Sequence, residues 1–572
     1  MRRTIVIISI VLHSGIGLYS QTLQWIKTFD SVEYTELEDL IMDEVGNVYA
    51  TGRFRSTTDF DPGPDVYELT PVGGSDVFLV KLDTDGNLEW AHGMGSSLFA
   101  GYETGKSLTL DENRDVYVTG WIRGSVDFDP SENIVMITAD EPGNGYVAKY
   151  DDEGNFVWVM QWGGNGEDQG YGISADMNGH IAVTGSFSST ADFSFGQETI
   201  TLTSGGMTDP FVMLMDTQGN PIWIKQFSGP ELGRGRDIIC DQYGNVYSTG
   251  GIFGSTDFID GEGTWLETPQ NDQFGYECGY ITKMDSEGNL LWVKTIEVSY
   301  LSEGRGITVD PAGNVYGCGN YGGTVTFELP EGPVSYPPAG SEDIITYKLN
   351  GEGEWMWGYS YASEGSDDAF YLDCDNNGNV YSTGTFWGTI DLDGTEGVIE
   401  QSMNGLLDGY LLTQNEDGIT QWFINVGGIE ADYMHAVDVN PEGTVYYIGG
   451  RFWDSTVLTT YDEEYTVPAN GLFRCFIAKY VPYVPNAVEK TNEPSITIFP
   501  NPSDGLVQIM MHEGVANIRA IVHNVTGGLV ESTTKITAQQ ILQVHLNTAP
   551  GVYYLELFSP DRSFGVYPVV IR

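Results

Sequence analysis

Short apolar runs separated by turn residues recur along most of the chain. One strand-like segment, an apolar start followed by a Thr-Gly or similar ending, occurs seven times at steps of 65 to 69 residues. Its first apolar residues are Val48, Val116, Ile181, Val246, Val315, Val380 and Val445. A repeat of this length indicates one supersecondary unit per copy, each stacked on its neighbours.

A tryptophan follows the same period. The positions are Trp25, Trp90, Trp158, Trp223, Trp292, Trp357 and Trp422. Each unit contains four strand candidates, and two of their connections are Asp-x-x-Gly turns such as residues 43–46. In such a turn Asp accepts backbone N–H groups and Gly supplies a positive φ. Four antiparallel strands repeated seven times predict an all-β fold, a seven-bladed β-propeller over residues 21–481.

The two ends of the repeat region complement each other. The first tryptophan strand, residues 23–29, has no preceding hairpin partner, and the last hairpin strand, residues 472–481, has no following tryptophan strand. We therefore expect the N-terminal strand to complete the seventh blade as its outermost strand, which removes two free sheet edges.

The segments outside the repeats have different patterns. Residues 1–20 carry Arg2 and Arg3 before a short apolar run, which predicts a secretory signal peptide. Residues 482–494 are polar and contain proline, as expected of a linker. Residues 495–572 alternate apolar and polar positions between Gly and Pro turns, which predicts a small C-terminal β-sandwich.

Two segments resemble known families. The GNVYATG strand at 46–52, with the later KLDTDGNLEW hairpin, resembles the SBBP-type β-propeller repeats of secreted bacterial proteins. The FPNP motif, the later PGVYYLEL strand and the short terminal strand are similar to the type IX secretion (Por) type A C-terminal sorting domains of Bacteroidota. The sorting-motif residues are Pro500, Asn501, Pro502 and Gly505. This resemblance implies recognition by the type IX secretion machinery and a secreted or outer-surface location. In the family the domain is commonly removed on export and often exchanged for a lipopolysaccharide anchor.

Composition narrows the classes of partner. The chain has 81 acidic and 25 basic residues, a net charge of −56, so we expect no binding to nucleic acid or to an anionic membrane. No apolar run reaches the length of a transmembrane helix. Five widely spaced cysteines predict buried free thiols rather than disulfides or a thiolate metal site.

The candidate ligand site lies at the entry of the first strand of each unit. Counting ten residues back from the seven apolar anchors gives Glu38, Lys106, Tyr171, Arg236, Arg305, Phe370 and His435. Twelve or thirteen residues back lie Glu36, Glu103, Asp168, Arg234, Glu303, Asp368 and Asp432. The residues eight back from the anchors are all apolar, so the repeats keep the same framework while the residues at the mouth of the channel differ. Variable residues on a constant scaffold are where binding sites are usually built.

Three functions fit these features. The first is a secreted or cell-surface binding protein for a glycan or protein ligand. The second is a polysaccharide hydrolase or lyase, which would need a pair of carboxyls among Asp168, Glu303, Asp368 and Asp432. The third is a structural surface component. We assign no catalytic residue, and we expect Arg234 with Arg236 to suit an anionic group such as a uronate.

A weaker acidic pattern follows the second strand of several units. Asp59 and Asp61 stand in DFDPG, and Asp127 and Asp129 stand in DFDP. Paired aspartates on one loop can bind a hard cation through oxygen ligands, so calcium is a possible ligand here, with no other cofactor expected. The alternative is that each Asp begins a loop and the following Phe fills the gap between blades.

Overall fold

The computed structural model describes most of the repeat region and the strands of the C-terminal region. The described ranges are 21–31, 33–98, 102–193, 200–258, 265–268, 276–394, 399–453, 456–459, 464–467, 473–482, 496–499, 506–511, 518–524, 529–535, 541–545, 551–559 and 562–571. Every regular element in these ranges is a β-strand, which confirms the all-β prediction. The predicted signal peptide lies outside the described residues.

The described part of the repeat region forms seven four-stranded antiparallel units, here called sheets 1 to 7. Their first strands are Thr35–Met42, Thr104–Leu110, Gln169–Ala175, Gly233–Cys240, Leu301–Val309, Asp368–Cys374 and Tyr433–Val439. Their second strands are Val48–Phe54, Val116–Ile122, His180–Phe187, Val246–Phe253, Val315–Gly322, Val380–Phe386 and Tyr446–Trp453. Their third strands are Asp76–Leu82, Asn144–Tyr150, Asp209–Asp216, Glu277–Met284, Asp343–Leu349, Asp408–Gln414 and Phe473–Pro482. The fourth strands of sheets 1 to 6 are Leu88–Met94, Phe156–Gly164, Pro221–Gln226, Leu290–Ile296, Trp355–Tyr361 and Thr420–Gly428.

The fourth strand of sheet 7 comes from the other end of the repeat region. Gln21–Thr28 lies beside Phe473–Pro482, so this sheet combines strands from both ends of the repeat region. The first strands of neighbouring sheets contact each other along the series, and the first strand of sheet 7 contacts that of sheet 1.

Short strands follow the second strand of each unit. They pair as Thr58–Asp59 with Glu68–Leu69, Ser125–Asp127 with Met136–Thr138, Thr190–Asp192 with Thr201–Thr203, Thr256–Asp257 with Leu266–Glu267, Val325–Leu329 with Gly332–Tyr336, Thr389–Asp391 with Glu400–Ser402, and Thr456–Thr459 with Glu464–Val467. A further short strand, Asp30–Ser31, pairs with Thr58–Asp59. Several of these hairpins bond to the fourth strand of the preceding sheet, as Ala191 does to Gly164, and so connect neighbouring sheets.

The core lies between adjacent sheets. Leu40 and Val80 of sheet 1, for example, share one buried apolar cluster with Ile477 of sheet 7. The repeated tryptophan adds a polar link between sheets, because its indole N–H donates to a turn carbonyl of the next sheet. The pairs are Trp25 with Thr84, Trp90 with Asp152, Trp158 with Thr217, Trp223 with Ser286, Trp292 with Gly351, and Trp357 with Glu416.

The C-terminal unit is also built from strands. One sheet has the order Ile496–Phe499, Leu506–Met511, Ile541–His545, and the other has the order Leu529–Lys535, Ile518–Asn524, Gly551–Ser559, Arg562–Ile571. The predicted linker lies almost entirely outside the described residues, as do Pro500, Asn501, Pro502 and Gly505 of the sorting motif. Across the described residues, no helix has the length and apolar character needed to cross a membrane.

Candidate functional site

A β-bulge interrupts the first strand of all seven sheets at the same place. In sheet 1 the register with the second strand shifts between Leu37 and Asp39, so Glu38 is left unpaired. The residues skipped in this way, here called the bulge residues, are Glu38, Lys106, Tyr171, Arg236, Arg305, Phe370 and His435. A bulge redirects its side chain out of the ladder. All seven residues predicted ten positions before the anchors are therefore equivalent in the structure.

The seven bulge residues converge on one cavity of about 280 Å³, here called the central cavity. Its remaining lining residues are Glu36, Asp39, Arg53, Ser107, Asp237 and Tyr371. The structure thus brings together one side chain from the first strand of every sheet.

Glycines precede four of the bulge residues for a steric reason. A Cβ at Gly105, Gly170, Gly235 or Gly304 would lie within 2.2 Å of a threonine Oγ1 on the second strand of the preceding sheet. The close approach of neighbouring sheets at this point leaves no room for a side chain there.

One side of the central cavity is organised around two glutamates. Lys106 Nζ lies 2.7 Å from Glu38 Oε2. Glu36 is buried and pairs with both Arg53, at 2.6 Å, and Arg451. Burial would raise the pKa of Glu36, but the charges of Arg451 and Arg53 outweigh it and lower that pKa to about 2. This carboxylate is therefore ionised under ordinary conditions and holds two guanidinium groups in place.

The opposite side is organised around Glu303, which lies behind the lining. Arg305 Nε is 2.8 Å from Glu303 Oε2, and Arg236 donates from Nε to Oε1 of the same carboxylate. These two arginines outweigh the effect of burial and lower the pKa of Glu303. One carboxylate thus orients two guanidinium groups from adjacent sheets toward the central cavity.

The sheets on either side of this arginine pair each contribute an aromatic bulge residue to the lining, Tyr171 and Phe370. The guanidinium carbon of Arg236 lies 5.1 Å from the ring centroid of Tyr171. Phe370 stacks on His435 with centroids 5.1 Å apart and planes at 7°. Burial and the charge of Arg451 lower the pKa of His435 to about 4, so its imidazole is neutral in this stack at neutral pH.

Below the bulges, polar side chains join the first strands of neighbouring sheets. The bridges join Asp39 to Leu108, Thr109 to Ala175, Ser174 to Cys240, Asp237 to Ile307, Thr308 to Asp373, Asp373 to Val439, and Asp438 to Met42. Burial raises the pKa of Asp39 and of Asp237 to about 7. Both carboxyl oxygens of Asp237 accept backbone N–H groups, at 2.8 and 2.9 Å.

The residues predicted twelve or thirteen positions before the anchors divide into two groups. Glu103, Asp168 and Asp432, thirteen back, are fully buried and lie outside the cavity lining. Asp168 accepts from the backbone N–H of Gly164 and Ser188, each at 3.0 Å, and so holds a loop. The residues twelve back are Glu36, Arg234, Glu303 and Asp368, and of these Glu36 is the one that the described cavity lining includes. The cavity therefore brings together the seven bulge residues and Glu36, whereas Arg234, which was predicted to act with Arg236, lies outside the lining.

The aspartates proposed for calcium have backbone partners. Asp59 Oδ1 accepts from the N–H groups of Asp61 and Tyr67, and Asp127 Oδ1 accepts from those of Asp129 and Val135. The phenylalanines after the first Asp of each motif, Phe60 and Phe128, are fully buried. No group of three or more His, Cys, Asp or Glu side chains suited to a metal occurs among the described residues. Calcium binding stays a prediction.

Sequence reasoning missed several lining residues. Asp39, Ser107, Asp237 and Tyr371 each follow a bulge residue directly, and strict alternation would place them on the opposite face from it. A bulge breaks this alternation, so both residues reach the central cavity. Arg53 comes from the end of a second strand, where the repeats differ and no common pattern marks the position.

The C-terminal region matches a known family. Residues 497–564 match the family model described as "Secretion system C-terminal sorting domain". This confirms the predicted sorting domain, implies interaction with the type IX secretion machinery, and indicates export to the cell surface or beyond.

The chain is also similar to two curated proteins. The chain is 23% identical over 431 residues to an uncharacterised WD repeat-containing protein, L264, of Acanthamoeba polyphaga mimivirus, covering 63% of this chain and 30% of that protein. It is 26% identical over 231 residues to the regulatory protein FlaEY of Caulobacter vibrioides, covering 40% and 22%. The chain thus spans less than a third of the curated relatives it matches.

Among solved structures, the chain is similar to a protein of unknown function from Dyadobacter fermentans, with 10% identity, a TM-score of 0.35, and coverage of 82% of this chain and 100% of the other. It is also similar to the Cps50 (Swd1) β-propeller domain of Myceliophteria thermophila, with 8% identity, a TM-score of 0.26, and coverage of 66% and 98%.

Proposed function

We propose that this protein is an exported seven-bladed β-propeller of SBBP-type repeats, closed by its N-terminal strand, that binds a small ligand in its central cavity. Closure is supported by the pairing of Gln21–Thr28 with Phe473–Pro482. It is supported again by Trp25, whose indole N–H donates to Thr84 O of sheet 1 at 3.1 Å. The sorting domain at 497–564 and the predicted signal peptide give the export route.

The observation that carries the binding proposal is the set of seven bulge residues. Each sheet uses the same irregularity to direct one side chain into the central cavity, yet these side chains are acidic, basic and aromatic in turn. A frame that repeats while its inward-facing residues differ is the arrangement expected of a recognition site on a rigid scaffold.

The size of the central cavity favours a small ligand or the end of a chain. Its volume of about 280 Å³ is close to the lower limit of roughly 300 Å³ for small-molecule sites. Cations, carboxylates and aromatic rings together suit the hydroxyls and apolar faces of a sugar. A glycan is therefore preferred to a protein surface as the ligand.

The partners of the carboxyls suggested for a hydrolase favour a binding function over catalysis. Asp168 accepts backbone N–H groups, as does Asp432, which accepts from Gly428 at 2.6 Å. Glu303 is paired with two arginines, and Asp368 accepts from Asn320 Nδ2 at 2.6 Å. Each of these groups has a partner that maintains the frame or orients a neighbour.

A glycan array probed with the full mature chain, run beside a reducing-sugar release assay, tests this proposal. We expect binding without release of sugar, and a Phe370→Ala/His435→Ala variant that folds but loses at least tenfold in affinity. Tyr243→Ala, which removes an exposed tyrosine from a turn of sheet 4, is the matched control and should bind normally. Sugar release, or binding unaffected by the double variant, would contradict the proposal.

A further inference from the structure

The charge of the central cavity is unlike that of the rest of the molecule. The chain carries 81 acidic and only 25 basic residues, yet four cations line the central cavity: Arg53, Lys106, Arg236 and Arg305. Lys106 and Arg53 are paired with glutamates that also line it, Glu38 and Glu36.

The part of the lining that sheets 3 to 6 contribute, from Tyr171 to Phe370, is here called the arc, and its charges are arranged differently. Arg236 and Arg305 line it, whereas Glu303, the carboxylate that pairs with both, lies behind them. The charges of both arginines also act on Glu277, and the charge of Arg305 acts on Asp368 and Glu342; these three acids are not part of the described lining. The lining of this arc thus contains the guanidinium groups and not the acidic groups that pair or interact with them.

Among the described residues that line this arc, Asp237 is the single carboxyl. Its two oxygens accept the backbone N–H groups of Ile238 and Ile307, so it belongs to the bridges between first strands. The cavity side of the arc thus offers guanidinium donors and aromatic rings, and its carboxyl is already bonded.

From this arrangement we propose, building on the proposed binding function, that the central cavity recognises a sugar ring bearing a carboxylate, as in the uronic acids of acidic polysaccharides. The carboxylate binds between Arg236 and Arg305, which Glu303 holds side by side. The ring lies against Phe370 or Tyr171, which flank the pair, and Glu38 and Lys106 across the cavity bond its hydroxyl groups. Planar guanidinium groups match the geometry of a carboxylate better than a lysine does.

The test is calorimetric titration of the full mature chain with two matched ligands, oligogalacturonate and the neutral galactose oligomer of the same length. These differ in the carboxylate at C6 alone. We expect the acidic oligomer to bind at least about tenfold more tightly, since charge-assisted pairs are stronger than neutral ones, and to weaken as salt increases.

Two variants assign the effect to the arginine pair. Arg236→Gln and Arg305→Gln should each reduce the affinity for oligogalacturonate about tenfold and so reduce the preference for the acidic over the neutral oligomer. Lys225→Gln, which removes a cation from the fourth strand of sheet 3, should change neither. Thermal unfolding of every variant checks that the fold is retained.

The outcomes separate this inference from the binding function beneath it. Equal affinity for both oligomers, or binding of a sulfated galactan in place of the uronate, would overturn the carboxylate assignment while leaving a glycan-binding cavity. Affinity for the uronate that survives both arginine variants would also overturn it. Failure of every acidic and neutral glycan to bind would overturn both proposals.

Discussion

The two ends of each first strand follow different rules. At one end an Asp-headed turn leads to the second strand, and its Oδ1 accepts the backbone N–H groups two and four residues ahead, as Asp43 does from Val45 and Asn47. The same arrangement recurs at Asp111, Asp176, Asp241, Asp310 and Asp375. At the other end the bulge is retained but its side chain changes from sheet to sheet. The contacts that repeat from sheet to sheet thus stabilise the turn end of the strand, whereas the side chains at the cavity end differ between sheets.

The largest expected effect comes from a frame tryptophan. Trp357→Ala should lower the free energy of unfolding by about 3 kcal/mol, because it removes a 7%-exposed ring and the bond to Glu416 O. Phe370→Ala, at a bulge, should cost less than about 1 kcal/mol. Denaturant unfolding of both variants measures the difference. Equal losses would show that the two ends of the strand contribute alike.

An intermediate effect concerns pH and the aspartate bridges. The folded-state pKa of Asp237 is about 7, above its ordinary value of 3.8, so the folded protein binds this proton more tightly than the unfolded chain. Its stabilising contribution is complete below about pH 4 and is lost as the pH rises through about 7. Between pH 5 and pH 8 we expect the wild type to lose on the order of 2 kcal/mol more than Asp237→Asn.

Unfolding curves at the two pH values give this difference directly. Asp285→Asn is the matched control, because Asp285 heads an exposed turn and its pKa is shifted the other way. Burial acts to raise the pKa of Asp285, but hydrogen bonds from Asn289 and neighbouring backbone groups together outweigh it and lower that pKa. A pH dependence that is the same in wild type and Asp237→Asn would show that the bridge does not titrate in this range.

The smallest expected effect is that of a single ion pair in the central cavity. Lys106→Gln removes the 2.7 Å contact with Glu38, but the lysine side chain is 24% exposed. We expect a loss of about 0.5 kcal/mol in unfolding free energy. A loss above about 2 kcal/mol would mean that the cavity residues are part of the stabilising frame after all.

The sequence predicted the sheets better than the chemistry of the site. Seven copies of one pattern identify each strand several times over, so the all-β fold and the pairing of the terminal strands follow from periodicity. The bulge positions follow from a constant offset, although the bulge itself leaves no local pattern beyond the preceding glycines. Periodicity did not show that six of the seven residues twelve or thirteen back lie outside the described cavity lining, because an offset from the anchors gives a position along the chain and not the direction of the side chain. Each cavity residue occurs once, so repetition gives no information about its role.

The strand Gln21–Thr28 has a consequence for the order of folding. Its neighbour in sheet 7, Phe473–Pro482, is made only after nearly the whole repeat region has been synthesised. Contacts between segments so far apart in the chain form slowly, because closing a large loop costs conformational entropy before any stabilising contact is made. The sorting domain at 497–564 lies C-terminal to Phe473–Pro482, after the predicted linker. A chain truncated before the sorting domain would lose the signal for export, and one truncated before Phe473–Pro482 would also lack the third strand of sheet 7. A chain that carries the export signal therefore also contains every strand needed to complete the repeat region.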